Sequence, residues 1–171
     1  EGRLRESRKD FSGAIAAYEQ AATLASDAQE PLVAVVRLDL QNKQAERARR
    51  RLETIIAARP NHPFAHGLLG EVLPLVGLQD GATAQFREAT RTNPTWVTPW
   101  LNWATLLISQ GQANSAIQTL REGLIANPAS EELHMLLASV LANQGLVDEA
   151  ITAYDVVLRM NPRNIFSANN L

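Results

Sequence analysis

Four prolines constrain this chain more than any other feature. Pro60, Pro94, Pro128 and Pro162 are evenly spaced along it. Three of them follow an asparagine (Asn93, Asn127, Asn161), and the first follows Arg59. A proline ring pushes the residue before it out of the α region, so each pair marks a helix stop. A stop that recurs at a fixed period means a repeat. Other positions keep the same frame. Ala48, Ala82, Ala116 and Ala150 recur at the interval of the prolines, and so do the large residues Leu52, Phe86, Leu120 and Tyr154. Gly77, Gly111 and Gly145 keep it too, and the first copy has Lys43 at their place.

This pattern resembles the tetratricopeptide repeat (TPR), a helix–turn–helix unit of about 34 residues with an A-x3-F core and a late proline. The resemblance covers nearly the whole chain. It implies an all-α solenoid of antiparallel helix pairs, wound as a right-handed superhelix with a concave side. The frame predicts one array: a partial repeat at 1–28, full repeats at 29–62, 63–96, 97–130 and 131–164, and the start of a truncated repeat or capping helix at 165–171.

Within the partial repeat, Lys9 to Tyr18 reads as a second helix, with Ala14 and Tyr18 in the alanine and aromatic positions and Ser26 in place of the late proline. Gly2 falls at a small-residue position of the first helix. In the next unit, Pro31 suits a first helical turn. Asp39 sits where Leu73, Leu107 and Leu141 stand later. Arg47, Arg49, Arg50 and Arg51 form a basic stripe, read as a solvated outer face beside Glu46 and Glu53, with a phosphate or acidic partner as the alternative. Pro74 lies inside a first helix and predicts a kink or an early end near Leu73; either the groove is reshaped there or a late proline is simply tolerated. Thr98 and Pro99 are expected as N-cap and first helical residue. Trp100 aligns with Leu32, His66 and His134, and Trp103 with Val35, Leu69 and Leu137, so both are expected in the core; Trp96 falls in a turn. Leu69, Gly70 and Leu73, and likewise Trp103, Ala104 and Leu107, share a helix face that should meet the second helices. Ile165 to Leu171 are too few to hold as an isolated helix. An exposed apolar patch around Val157 and Leu158 is therefore expected, which either holds 165–171 loosely against itself or docks onto a neighbouring molecule in self-association through the uncapped end.

The formal charge is −2, which gives no global field for nucleic acid. Residues 1–60 carry 11 Lys/Arg and 9 Asp/Glu, and the rest carry 5 and 9. There is no cysteine, which excludes disulfides, thiol catalysis and thiolate metal sites and leaves the compartment open. No apolar run approaches the roughly 20 residues of a membrane span. The chain begins at Glu1 inside a repeat and reads as a piece of a longer protein, so a targeting segment can lie outside it.

No catalytic constellation is present: no G-x-S-x-G, no phosphate loop, no H-E-x-x-H. His62 and His66 are four apart, but His62 precedes Pro63 and belongs to a turn, so no metal and no cofactor is expected. A non-enzymatic module is the reading that remains. In the family the pattern resembles, first helices line the groove and commonly bind a peptide or a partner helix. Carried over unit by unit, that face is Val33, Arg37 and Gln41; Phe64, Glu71 and Leu75; Leu101, Thr105, Ile108 and Ser109; and Met135, Ser139 and Asn143. Its apolar centre, Leu101, Ile108 and Met135, suits an extended peptide or an amphipathic helix. Two subclasses do not fit. The carboxylate clamp of chaperone-binding members would need more than Arg37, which is followed by Glu71, Thr105 and Ser139. The asparagine ladder of the glycosyltransferase type would need more than Asn102, beside Ala34, Leu68 and Leu136. The overall style resembles bacterial TPR proteins of secretion or envelope assembly. The expectation is a scaffold or assembly module; the alternatives are the substrate-presenting arm of an enzyme whose catalytic domain lies elsewhere, or a spacer.

Overall fold

Every helix that runs toward one of the recurring prolines stops two residues before it. A computed structural model describes residues 1–7, 10–24 and 29–163. Among them are ten α-helices and no strand: α1 (Gly2–Ser7), α2 (Phe11–Leu24), α3 (Gln29–Gln41), α4 (Ala45–Ala58), α5 (Pro63–Val72), α6 (Gln79–Thr92), α7 (Val97–Ser109), α8 (Ala113–Ala126), α9 (Glu131–Asn143) and α10 (Val147–Met160), with a 3-10 turn at Leu73–Val76. Ser26 and 165–171, where the sequence predicts the end of one unit and the start of another, lie outside the described residues. The helices form two compact units, Glu1–Thr92 and Asn93–Leu171.

The stops follow from the backbone. Arg59, Asn127 and Asn161 precede prolines and sit at φ −142°, −133° and −136°, outside the helical region. Each still donates its N–H to the helix behind it, at 2.8, 2.9 and 2.7 Å. The carbonyl of the proline beyond the helix is also used. His66 Nε2 donates to Pro60 O (2.8 Å), Trp100 Nε1 to Pro94 O (2.9 Å) and His134 Nε2 to Pro128 O (3.1 Å). One repeat position thus supplies a ring N–H that ties the turn to the following helix, a role that packing alone does not suggest.

Inside the α5–α6, α7–α8 and α9–α10 hairpins the turn is a Schellman motif. The 6→1 bonds are Leu78 N to Leu73 O, Gln112 N to Leu107 O and Leu146 N to Leu141 O, at 2.9, 2.8 and 3.0 Å. The motif needs a left-handed residue, and Gly77, Gly111 and Gly145 supply it at φ 78°, 73° and 74°. Lys43 occupies the same position at φ 58°, and Gln44 N reaches Asp39 O at 2.8 Å.

Small residues set the helix separation. A Cβ on Gly70 would stand 2.6 Å from the Phe86 ring, and one on Gly2 would stand 2.7 Å from the Tyr18 ring. In the second unit, Ala104 and Ala138 share one core cluster with Leu120 and Tyr154. Trp100 is buried in that cluster; Trp103 is half-buried and stacks on it, with ring centroids 6.2 Å apart. In the first unit Ala14, Ile15 and Tyr18 pack on Ala34, Val35 and Leu38.

Three expectations change. Pro74 ends α5 at Val72 as expected near Leu73, but the chain continues as a 3-10 turn, so Leu75 is not on the α5 face. Thr98 is not the N-cap: Trp96 takes that place in extended conformation, and Pro99 is the third helical residue. The first four N–H groups of a helix have no internal partner, so proline costs nothing there either. Finally, Val157 is fully buried and Leu158 half-buried, so the expected patch around them is not exposed. Val157 continues the stripe Ala150, Ala153, Tyr154 on the buried side of α10, which packs on α9. The exposed apolar side chains of α10 are Val147, Ile151 and Met160.

The Arg47–Arg51 stripe is not a free basic face. Asp39 is fully buried and draws two of its members inward. Arg51 Nε donates to Asp39 Oδ2 (3.2 Å), and the same guanidinium pairs with Glu19 of α2. Arg47 Nε approaches Asp39 Oδ1 at 3.6 Å. Arg49 bridges Glu46 and Glu53, whose carboxylates raise its already high pKa. Ions thus hold α2, α3 and α4 together where the other units use leucine.

Three outcomes follow for unfolding in urea. Lys43→Gly should stabilise the chain by about 1 kcal/mol, and Gly111→Ala should cost about 1 kcal/mol, because only glycine enters the left-handed region freely. Asp39→Ala should cost about 3 kcal/mol, since it strips a buried partner from Arg51. A loss under about 1 kcal/mol would show that Arg51 leans on Glu19 alone.

Candidate functional site

The first helices of the first unit, α1 and α3, enclose a groove of about 600 Å³. Two sequence-predicted residues, Val33 and Arg37, line it. Val33 is half-buried, and Arg37 is exposed and already engaged: its Nη2 donates to both oxygens of Glu6, at 2.7 and 2.9 Å. Glu6 also accepts from the Tyr18 hydroxyl at 3.2 Å, and burial pushes that hydroxyl's pKa up, which keeps it a neutral donor. Arg3 on α1 pairs with Glu30 on α3. Gln41 lies exposed at the last residue of α3.

Sequence reasoning misses Arg3, Glu6, Tyr18 and Glu30 as groove residues. Arg3 carries a usable signal, because it stands one full repeat before Arg37. Glu6 carries one too, because it shares a repeat position with Ile108, although Leu40 and Pro74 stand between them in the frame.

On α5, Phe64 is half-buried and meets the ring of His62 edge-on, with centroids 6.1 Å apart. His62 caps the helix: its Nδ1 accepts from Ala65 N at 3.2 Å. Glu71 is half-buried near the end of α5, and Leu75 is 62% exposed in the 3-10 turn. The structure therefore does not gather Phe64, Glu71 and Leu75 on one α-helical stripe.

In the second unit α7 and α9 pack side by side. Leu101 and Met135 are half-buried with their sides against the core cluster. Ile108 is 37% exposed. Thr105 Oγ1 donates to Leu101 O (2.8 Å) and Ser109 Oγ to Leu106 O (2.7 Å), so both hydroxyl protons stay within the helix. Ser139 Oγ lies 3.4 Å from the Tyr154 hydroxyl, and Asn143 is exposed. The sequence-predicted residues of α7 and α9 thus carry no charge and combine apolar centres with oxygen acceptors.

Among the described residues, no group of three or more His, Asp or Glu side chains converges as a metal site, and no helix is long and apolar enough to cross a membrane.

Two family models, both described as tetratricopeptide repeat, match residues 7–72 and 101–165. No curated protein matches the chain. Solved structures do. A crystal structure of MamA is 18% identical over 96% of this chain and 90% of that one, with a TM-score of 0.72. A thermophilic TPR protein of Thermus thermophilus is 20% identical over 98% and 92%, with a TM-score of 0.67. YrrB, described as a TPR protein with an unusual peptide-binding site, is 16% identical over 98% and 87%, also at 0.67. At such identities the likeness concerns the fold. Helix stops at the recurring prolines, glycine-centred turns, small residues at the hairpin crossings and two family matches that together span most of the sequence place the chain in the tetratricopeptide repeat family.

Proposed function

We propose that the chain is a non-enzymatic protein-interaction module whose first helices take a peptide or a partner helix, as part of a larger scaffold or assembly. The observation that carries this is the α7–α9 surface. Leu101 and Met135 are rooted in the core, Ile108 projects from it, and Thr105, Ser109, Ser139 and Asn143 surround them with polar atoms. Apolar anchors inside a polar rim are what a segment with regularly spaced apolar side chains requires. Family membership supports the reading, as does the peptide-binding site that the description of YrrB assigns to that protein.

The test is selection from a random displayed peptide library against the chain, followed by binding to variants. Leu101 is a poor choice for substitution, because it packs on the core and a charge there would cost stability. Thr105→Arg with Ile108→Glu changes exposed positions and should leave the unfolding free energy within about 0.5 kcal/mol. Selected peptides should lose at least about tenfold in affinity. If no peptide is enriched, or if the peptides bind this variant unchanged and lose affinity only when the Arg47–Arg51 segment is altered, the face is wrong.

A further inference from the structure

We infer that the α1–α3 groove selects a peptide segment in which an apolar side chain is flanked by one acidic and one basic residue, and that it takes this segment by exchanging ion pairs. The inference rests on the first-helix reading above and names the ligand chemistry at one part of that face.

The floor of the groove is apolar: the Tyr18 ring, Ala34 and Val33. Its walls carry four charges in two crossed pairs. Arg3 of α1 meets Glu30 of α3, and Arg37 of α3 meets Glu6 of α1. Both pairs span from one helix to the other, so they lie across the groove as straps over that floor. They are unequal in depth. The Arg3 and Glu30 side chains are 79% and 65% exposed, whereas Glu6 is 24% exposed and also holds the Tyr18 hydroxyl.

This balance decides what can enter. Among the described residues every wall charge is matched, so together they present no net charge to a ligand. A purely acidic segment would gain Arg37 and leave Glu6 facing Tyr18 without its cation. A purely basic one would gain Glu6 and orphan Arg37. A segment with both signs gives each half of an opened strap a new partner, so no charge is left behind. Exposed ion pairs contribute little to stability, so the Arg3–Glu30 strap opens easily, whereas the deeper Glu6–Arg37 strap opens only when both of its ends gain new partners. The apolar side chain between the two charges then reaches Val33 and Tyr18, which the straps otherwise cover. The lone Arg37 is engaged within the chain, its Nη2 donating to both oxygens of Glu6.

Peptides from the same random displayed library are tested against the full chain and two double variants. Glu6→Gln with Arg37→Gln keeps polar side chains in place and removes both charges. Peptides that lose at least about tenfold on it should carry an acidic and a basic residue around an apolar one, and should weaken as salt is raised. Glu6→Arg with Arg37→Glu keeps the strap but swaps its ends, so the same selection should return peptides with acid and base in the opposite order. Circular dichroism of both variants should match the parent. The proposal is overturned if the sensitive peptides carry charges of one sign only, if the swap leaves the preferred order unchanged, or if no peptide is sensitive to the neutral pair. Peptides that respond to Thr105→Arg with Ile108→Glu and ignore the groove variants would keep the interaction reading and remove this one. An empty selection would remove both.

Discussion

Helix pairs of this kind close only if one helix offers almost no side chain where the other offers a large one. Gly70 against Phe86 and Gly2 against Tyr18 are the extreme cases, with no room for a Cβ. The large side chain then lies flat on the backbone of the first helix, and the pair approaches closely enough to exclude water. The other devices of the unit serve that crossing. The left-handed glycine reverses the chain within the hairpin, and the proline ends the second helix before it overshoots. The ring N–H of His66, Trp100 or His134 on the proline carbonyl then fixes where the next helix begins.

The α3–α4 hairpin meets the same demand by other means. Val36 stands where its counterparts are Gly70 and Ala104, Asp39 replaces leucine and Lys43 replaces glycine. A buried carboxylate costs desolvation unless donors surround it. Arg51 donates to Asp39 Oδ2 from α4, Arg47 approaches Oδ1 at 3.6 Å without a hydrogen bond, and Glu19 on α2 in turn balances Arg51. The result ties three helices together with directional bonds in place of area: a single buried aspartate draws Arg51 inward and Arg47 toward it, and Arg49 lies between Glu46 and Glu53.

The periodic part of this structure is legible in the sequence. Each recurring proline determines a helix end closely, because the effect of proline on its predecessor is local. The turn glycines are legible for the same reason, and Pro74 correctly marks the end of α5. What cannot be read depends on which of two sides a helical residue turns to. Val157 looks like an outward position until the buried stripe of α10 is seen to include it. Thr98 looks like a cap because good capping chemistry does not reveal whether a helix starts earlier. Within the candidate face, α7 and α9 pack against each other, whereas Leu75 leaves its stripe where the α-helix gives way to a 3-10 turn. The pairing of Arg37 with Glu6 is not legible in the sequence because the counterparts of Glu6 in the repeat frame, Leu40, Pro74 and Ile108, carry no charge.

That last point bears on how repeats come to differ in what they bind. The crossing residues, turn glycines and prolines are fixed by the hairpin, so variation is confined to first-helix positions that the hairpin does not use. Arg3 and Arg37 share one such position with Glu71, Thr105 and Ser139. On α1 and α3 it carries cations that find carboxylates across the groove. In the second unit it carries hydroxyls, of which Thr105 turns back to its own backbone and Ser139 toward Tyr154. The same backbone geometry therefore presents a charge-balanced cleft in one unit and an uncharged, acceptor-rich surface in the other. An apolar contact on the second surface is insensitive to salt, whereas an exchanged ion pair in the first is screened by it. Salt dependence thus distinguishes the two faces where shape alone does not, and it follows from the side chain at one position of the repeat frame.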